Sequence, residues 1–175
     1  YWNSRLVWFD SEGNFLKELG SWGRGPQEFN TPHAITQDSK GRILVADLVG
    51  GNFHDYMTLP NQIAEERKSA DEGAFHRIQR FNADGTYIDE WTHITPLSLT
   101  TYDKKIYASD KMSDLVILNE DSGEIEERVE KISVYIHQLA MDQHGDLYAA
   151  SVYPEHAGEK RGREGPSHRR WTRDP

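Results

Sequence analysis

The sequence contains no cysteine among its 175 residues, which excludes disulfide bonds and thiolate ligands for a metal. It also lacks any apolar run near the roughly twenty residues that a membrane-spanning helix requires, so no membrane span is predicted. Basic residues are fewer than acidic ones, and the net charge is −9. Because a phosphate backbone is bound by a basic patch, nucleic acid is not predicted as a partner.

Two further absences narrow the classes of enzyme. No Gly-x-Ser-x-Gly segment is present, so a hydrolase with a nucleophilic serine on a tight turn has no local support. No glycine-rich loop leads from a predicted strand into a helix, so a phosphate-binding loop is not predicted either. The absence of cysteine leaves the cellular compartment open.

What the sequence does contain is a short cassette that occurs three times. In each copy a first strand passes through a polar turn into a second strand of β-branched and aliphatic residues. The first strands begin at Thr31, Thr95 and Tyr135, and the second strands follow from Gly41, Lys105 and Gly145. A repeated unit of this kind buries its apolar faces against its neighbours in the array.

A second hairpin follows two of the cassettes, and a similar hairpin opens the chain. Four strands per repeat, joined by tight turns, is the pattern of a β-propeller blade, so we predict an all-β fold. Because the first hairpin has no cassette before it, the chain is expected to be a piece of a longer propeller. The predicted units are residues 1–20 (the end of a blade), 29–91 (a blade), 95–130 (a blade) and 135–175 (the last blade and a tail).

One repeat is longer than the next. His33 and Leu97 are separated by 64 positions, whereas Leu97 and His137 are separated by 40. The surplus lies in residues 48–75, where a proline followed by Ala, Glu, Arg and Lys favours a short helix over residues 60–69. We expect this insertion to join the second and third strands of its blade and to lie over the mouth of the central channel.

His33 and His137 occupy the same position in their cassettes, at the start of the first strand. In a propeller the first strand lines the central channel, so equivalent positions on different blades converge. The intervening cassette has Leu97 at this position. Histidines on alternate blades of a six-fold ring suit a zinc site with three imidazoles. The residues alone leave open a second reading, in which both histidines are ordinary hydrogen-bonded side chains.

These cassettes resemble NHL repeats, and their order is similar to the lyase domain of peptidylglycine α-amidating enzymes and its bacterial relatives. The resemblance lies in residues 1–6 with Phe9 and Gly13, in residues 29–33 with 45–47, in residues 121–125, and in residues 136–139. It implies a partial six-bladed β-propeller, covering about blades three to six, whereas the long and helical insertion predicted over residues 48–75 has no counterpart in the family. It also implies a secreted or periplasmic protein.

The resemblance further implies a zinc-dependent lyase that cleaves the C–N bond of a peptide carbinolamide in the central channel, giving an amide and glyoxylate. His33 and His137 would be two zinc ligands and Tyr1 the catalytic tyrosine, while the third histidine and an arginine are expected to precede Tyr1. A tyrosine has a pKa near ~10, so Tyr1 needs the nearby zinc to act as a base. Gln138 replaces an aspartate that the family associates with structural calcium, which disfavours calcium here.

A different class of function is also open, because fold does not fix function. In this alternative the chain is a non-catalytic NHL module that binds a protein or saccharide on its blade tops. Asp47 and Asp110, which end second strands, are interpreted as caps of the turns that follow them, not as catalytic groups. Trp8, Trp22 and Trp91 are expected to pack between blades.

Overall fold

The structure, a computed structural model, describes residues 3–49, 75–110, 113–132, 136–151 and 168–171. The regular elements in these ranges are all β-strands, which confirms the predicted all-β class. None of the described residues belongs to a helix that could cross a membrane. The helix predicted over residues 60–69 lies outside the described residues, as does Tyr1.

The strands are β1 (Leu6–Phe9), β2 (Phe15–Leu19), β3 (Ser21–Trp22), β4 (Glu28–Phe29), β5 (Pro32–Gln37), β6 (Ile43–Val49), β7 (Phe75–Phe81), β8 (Tyr87–Trp91), β9 (Pro96–Tyr102), β10 (Lys105–Asp110), β11 (Asp114–Asn119), β12 (Ile125–Val129), β13 (Ile136–Met141), β14 (Leu147–Ser151) and β15 (His168–Trp171). Strands β5–β8 and β9–β12 form two four-stranded antiparallel sheets in chain order. Strands β1–β2 and β13–β15 form smaller antiparallel sheets, and β3 and β4 form a short parallel pair.

Tight turns with one common geometry join several of these strands. In four of the hairpins an Asp or Asn carbonyl accepts the N–H of a glycine three residues later, and these four glycines have φ between 79° and 87°. They are Gly13, Gly41, Gly85 and Gly145. A side chain on an L-residue is strained at such φ values, so glycine is the residue that lets these hairpins close.

The sheets stack face to face, because alternate residues of each strand point to opposite neighbours. In β10, Ile106 and Ala108 pack toward β5–β8, whereas Tyr107 packs toward β13–β15. The three interfaces contain Leu6, Phe29, Val45 and Phe81; then Leu44, Ala46, Ile78, Trp91, Ile94, Leu99, Ile106, Ala108, Val116 and Leu118; then Tyr107, Leu115, Ile117, Ile132, Ile136, Leu139, Leu147 and Ala149. The innermost strands β5, β9 and β13 therefore lie side by side.

One of the three tryptophan predictions is wrong. Trp8 and Trp91 pack between sheets, but Trp22 is 74% exposed. The reason is its place in the chain: β3 belongs to the connection between two sheets and pairs only with β4, so neither of its faces lies against a neighbouring blade. Residue type alone does not distinguish a tryptophan in a connection from one that packs between blades.

The insertion leaves the sheet where it was expected to. Strands β6 and β7 pair up to Val49 and Phe75, so residues 50–74 connect the second and third strands of this sheet. Asp47 of β6 is paired with Pro32 at the start of β5. The connection therefore departs from the same end of the sheet at which His33 lies, while its position over a channel mouth stays a prediction.

Candidate metal centre

His33 and His137 each lie at a β-bulge near the start of an innermost strand. The pairing of β5 with β6 passes from Pro32 to Ala34 and omits His33, and that of β13 with β14 passes from Ile136 to Gln138 and omits His137. A bulge of this kind adds one unpaired residue and turns its side chain away from the regular pleat. The repeated bulge is thus the local reason that both imidazoles lie at the same end of their sheets.

The middle sheet has the same irregularity without a histidine. Between β9 and β10 the register shifts so that Leu97 and Ser98 face the single residue Ser109. Leu97 is buried at this position, between the two histidine-bearing strands. Three adjacent sheets thus have the same kind of β-bulge at the channel end of their first strand.

The structure brings the two predicted imidazoles together. The ring centres of His33 and His137 are 5.1 Å apart, with the ring planes at 78°. The Nδ1 atom of His33 lies 2.7 Å from the carbonyl oxygen of Leu97. Since a carbonyl can only accept, Nδ1 carries the proton and donates, and the neutral ring keeps its lone pair on Nε2.

Burial lowers the pKa of His33 below its ordinary value of 6.5. The hydrogen bond to Leu97 opposes this shift, and the neighbouring charge of His137 adds to it. A lowered pKa keeps the His33 imidazole neutral at pH 7, and the neutral ring is the form that binds a metal ion. The Leu97 carbonyl fixes the tautomer of this imidazole, as carbonyls also do behind histidines that bind metal ions.

The spacing of the pair fits a shared tetrahedral zinc ion. With Zn–N bonds of about 2.0–2.1 Å, the centres of two coordinated imidazole rings come to lie about 5 Å apart. The pair by itself is an incomplete site: within the ranges that the structure describes, no three His, Cys, Asp or Glu side chains are grouped so as to hold a metal ion. A site with three protein ligands therefore needs a residue from outside those ranges.

Neither the role predicted for Tyr1 nor the prediction about calcium is tested by the structure. Tyr1 lies outside the described residues, so its role as the catalytic base stays a prediction. Gln138, one position after His137, is exposed. The low affinity for calcium that its amide implies also stays a prediction.

Asp47 and Asp110 are structural, but they hold a different segment from the one predicted. The Oδ1 atom of Asp47 accepts from the backbone N–H groups of Asn30 and Thr31 at 3.0 and 2.9 Å, and Asp110 accepts from Thr95 at 2.7 Å. These donors precede the first strands. Antiparallel pairing returns the end of the second strand to the start of the first, so each carboxylate caps the segment that enters the blade.

Sequence reasoning missed Arg77, which is fully buried. Its guanidinium lies 3.1 Å from Oδ2 of Asp47 and 2.8 Å from Oε2 of Glu90, and it donates to the carbonyls of Arg24 and Glu28 at 2.7 Å each. Burial raises the pKa of Asp47, while Arg77 opposes that rise. Arg77 thereby fastens the connection that leads to His33. The available signal was a single carboxylate in the apolar strand β6 followed by two arginines in β7.

No family model matches the chain. Over 45 residues the chain is 44% identical to NHL repeat-containing protein 3 of Homo sapiens, and equally to the protein of that name in Mus musculus. The matched segment makes up 26% of this chain and only 13% of each relative. The similarity places NHL-type repeat sequence in the chain and says nothing of the rest of those proteins.

Among solved structures the chain is similar to BamB from Moraxella catarrhalis, a β-propeller, with a TM-score of 0.50 and 18% sequence identity. The alignment covers 85% of this chain and 35% of BamB. At this identity the likeness concerns the fold alone. With the stacked antiparallel sheets, these findings confirm the predicted fold: the described residues form part of a β-propeller, and a 45-residue stretch of the chain is similar to NHL repeats. The number of blades in a complete ring stays a prediction.

Proposed function

We propose that His33 and His137 are two ligands of a zinc ion at the rim of the propeller channel, in a carbon–nitrogen lyase acting on peptide carbinolamides. The observation that carries the metal part is the ring separation of 5.1 Å together with the Nδ1 contact to Leu97. The reaction is proposed from the resemblance of the motifs to the peptidyl-hydroxyglycine lyases. A third imidazole and the catalytic arginine would come from elsewhere in the protein.

In the proposed reaction the zinc ion and the side chains of the protein have separate roles. Zinc, when bound, would act as a Lewis acid that lowers the pKa of the substrate hydroxyl. Tyr1 is the proposed base that takes the hydroxyl proton. The C–O bond becomes a carbonyl as the C–N bond breaks, and the departing amide nitrogen takes the proton that Tyr1 removed, which leaves a peptide amide and glyoxylate. His33 and His137 would hold the zinc ion at the channel rim, where it would act on the substrate hydroxyl.

The second candidate is a binding module for a protein or saccharide. It is favoured by the absence of a three-ligand group from the described residues and by the exposed Trp22 at an inter-blade connection. An exposed indole on a fastened loop can act as an anchor for a partner at little entropic cost. The two candidates differ in whether the protein retains zinc and turns over substrate.

The test uses the intact protein, with zinc measured by elemental analysis and glyoxylate release measured from a peptide ending in α-hydroxyglycine. We expect about one zinc per chain, and expect His33→Ala and His137→Ala each to lose zinc and turnover. His144→Ala is the matched control, because His144 lies in an exposed turn. A protein that binds no zinc, or one in which both rim variants keep full turnover, would leave the binding module as the better account.

A further inference from the structure

The β-bulge at Leu97 differs from the equivalent bulges at His33 and His137 in two small residues. Next to the rim position the three cassettes have Ala34, Ser98 and Gln138, and opposite the bulge they have Ala46, Ser109 and Ala150. Only the sheet that lacks a rim histidine has serine at both positions. Both serines are buried, with 3% and 0% exposure. A buried hydroxyl costs free energy unless it is hydrogen-bonded, so the contacts of these two residues explain their presence.

Ser109 holds the bulge itself. Its Oγ accepts from the backbone N–H of Ser98 at 2.9 Å and from that of Leu97 at 3.3 Å. Two adjacent N–H groups at the shifted register thus share one hydroxyl. An alanine at position 109 would leave both donors buried without this acceptor.

The bulge held in this way contacts both neighbouring sheets. On one side the carbonyl oxygen of Leu97 accepts from Nδ1 of His33 at 2.7 Å. On the other side Oγ of Ser98 accepts from the backbone N–H of Leu139 at 2.8 Å. Leu139 lies in β13, two residues after His137. The same two-residue bulge therefore sets the tautomer of one imidazole and the position of the strand that carries the other.

We propose that Ser98 and Ser109 are positioning residues for the histidine pair, which hold His33 and His137 in the arrangement that a shared metal ion requires. The inference rests on the proposed function for the metal, and it adds a role for the sheet that has no histidine at the rim. Second-layer groups of this kind typically affect metal affinity 10–100-fold, because they fix the orientation of the ligands.

The test compares Ser98→Ala and Ser109→Ala with Ser122→Ala, a control in an exposed turn. The first readout needs no metal: the side-chain ¹⁵N chemical shifts of His33 report which ring nitrogen carries the proton. The second is the affinity for Zn²⁺, measured by competition with a chromophoric chelator. We expect Ser109→Ala to reduce the population of the His33 tautomer that carries its proton on Nδ1. We expect Ser98→Ala and Ser109→Ala each to bind zinc about 10-fold or more weakly than the wild type. Ser98→Thr keeps the hydroxyl, so it is expected to retain the wild-type affinity.

Two outcomes separate this inference from the proposed function. If the wild-type protein binds zinc and both alanine variants bind it equally well with unchanged ¹⁵N shifts, the positioning role is overturned, even if the variants are less stable. If the wild-type protein binds no zinc but Ser109→Ala still changes the tautomer of His33, the zinc proposal fails and the positioning of the imidazole is supported.

Discussion

At the scale of single residues, the proposed metal site depends on keeping the half-buried imidazole of His33 neutral. His33 has a lowered pKa, chiefly because burial disfavours its charged form. An unfolded chain has no such burial, so its histidine takes a proton at the ordinary value of 6.5, before the folded protein does. The folded state is therefore favoured by this group above that pH and loses the advantage as the pH falls below it.

We predict that the metal-free protein loses stability between about pH 7 and pH 5 and that His33→Gln loses less over the same interval. Glutamine does not titrate, and its side-chain N–H₂ can donate to the carbonyl of Leu97. The measurement is the urea midpoint at several pH values, with His144→Gln as the control in an exposed turn. Equal acid sensitivity of His33→Gln and the wild type would show that burial of His33 does not depress its pKa.

The two histidines could be found from the sequence, because they recur at one position of a repeated cassette. The contacts around them could not. The Leu97 carbonyl is a backbone group, present at every residue, and only the bulge in β9 aims it at His33. The roles of Ser98 and Ser109 could not be predicted either, because their hydroxyls accept hydrogen bonds from backbone N–H groups, which every residue but proline has.

At the scale of strands and turns, some glycines serve the backbone alone and others also admit a neighbouring blade. Gly13 and Gly123 both have positive φ, at 87° and 73°. A Cβ atom added at Gly13 would meet open space, whereas one added at Gly123 would come within 2.4 Å of the ring of Trp91. The guanidinium of Arg80 also lies over the Trp91 ring, 4.3 Å from the ring centre.

We predict that Gly123→Ala destabilises the protein more than Gly13→Ala does. Both variants incur the strain of a left-handed backbone, about 1–2 kcal/mol, and Gly123→Ala adds an overpacking cost of about 1–3 kcal/mol against Trp91. Urea unfolding of the two variants and the wild type measures the difference. Equal destabilisation would mean that the Gly123 turn and Trp91 are not in the close contact described.

Turns and strands were the most predictable elements, since Asp-x-x-Gly segments between alternating apolar runs specify hairpins locally. Predictions that depended on which strands meet were weaker. The sequence predicts that Asp47 and Asp110 cap the turns that follow them, yet pairing across the sheet directs them to the segments that precede the first strands. The sequence predicts Trp22 at a blade interface, yet it lies in the short β3–β4 pair that connects two blades.

At the scale of the molecule, the fold brings equivalent positions of successive repeats close together. Sheets that stack through alternating faces bring β5, β9 and β13 side by side, and the bulge at the start of each strand presents its residue at the common rim. Arg77 and Asp47 tie the entering connection to its blade and so fix one end of this arrangement. The repeat and the propeller class were accessible from sequence, whereas the third ligand of the proposed metal site is not among the residues that the structure describes.

The central claim is that His33 and His137 hold the same ion, and a double-mutant cycle on zinc affinity tests it most directly. The affinity for Zn²⁺ is measured for the intact protein, for His33→Ala, for His137→Ala and for the double variant. Two ligands of one ion act as a unit, so we predict strong non-additivity, with the double variant little weaker than either single variant. Losses that simply add, or single variants that keep wild-type affinity, would contradict a shared metal centre.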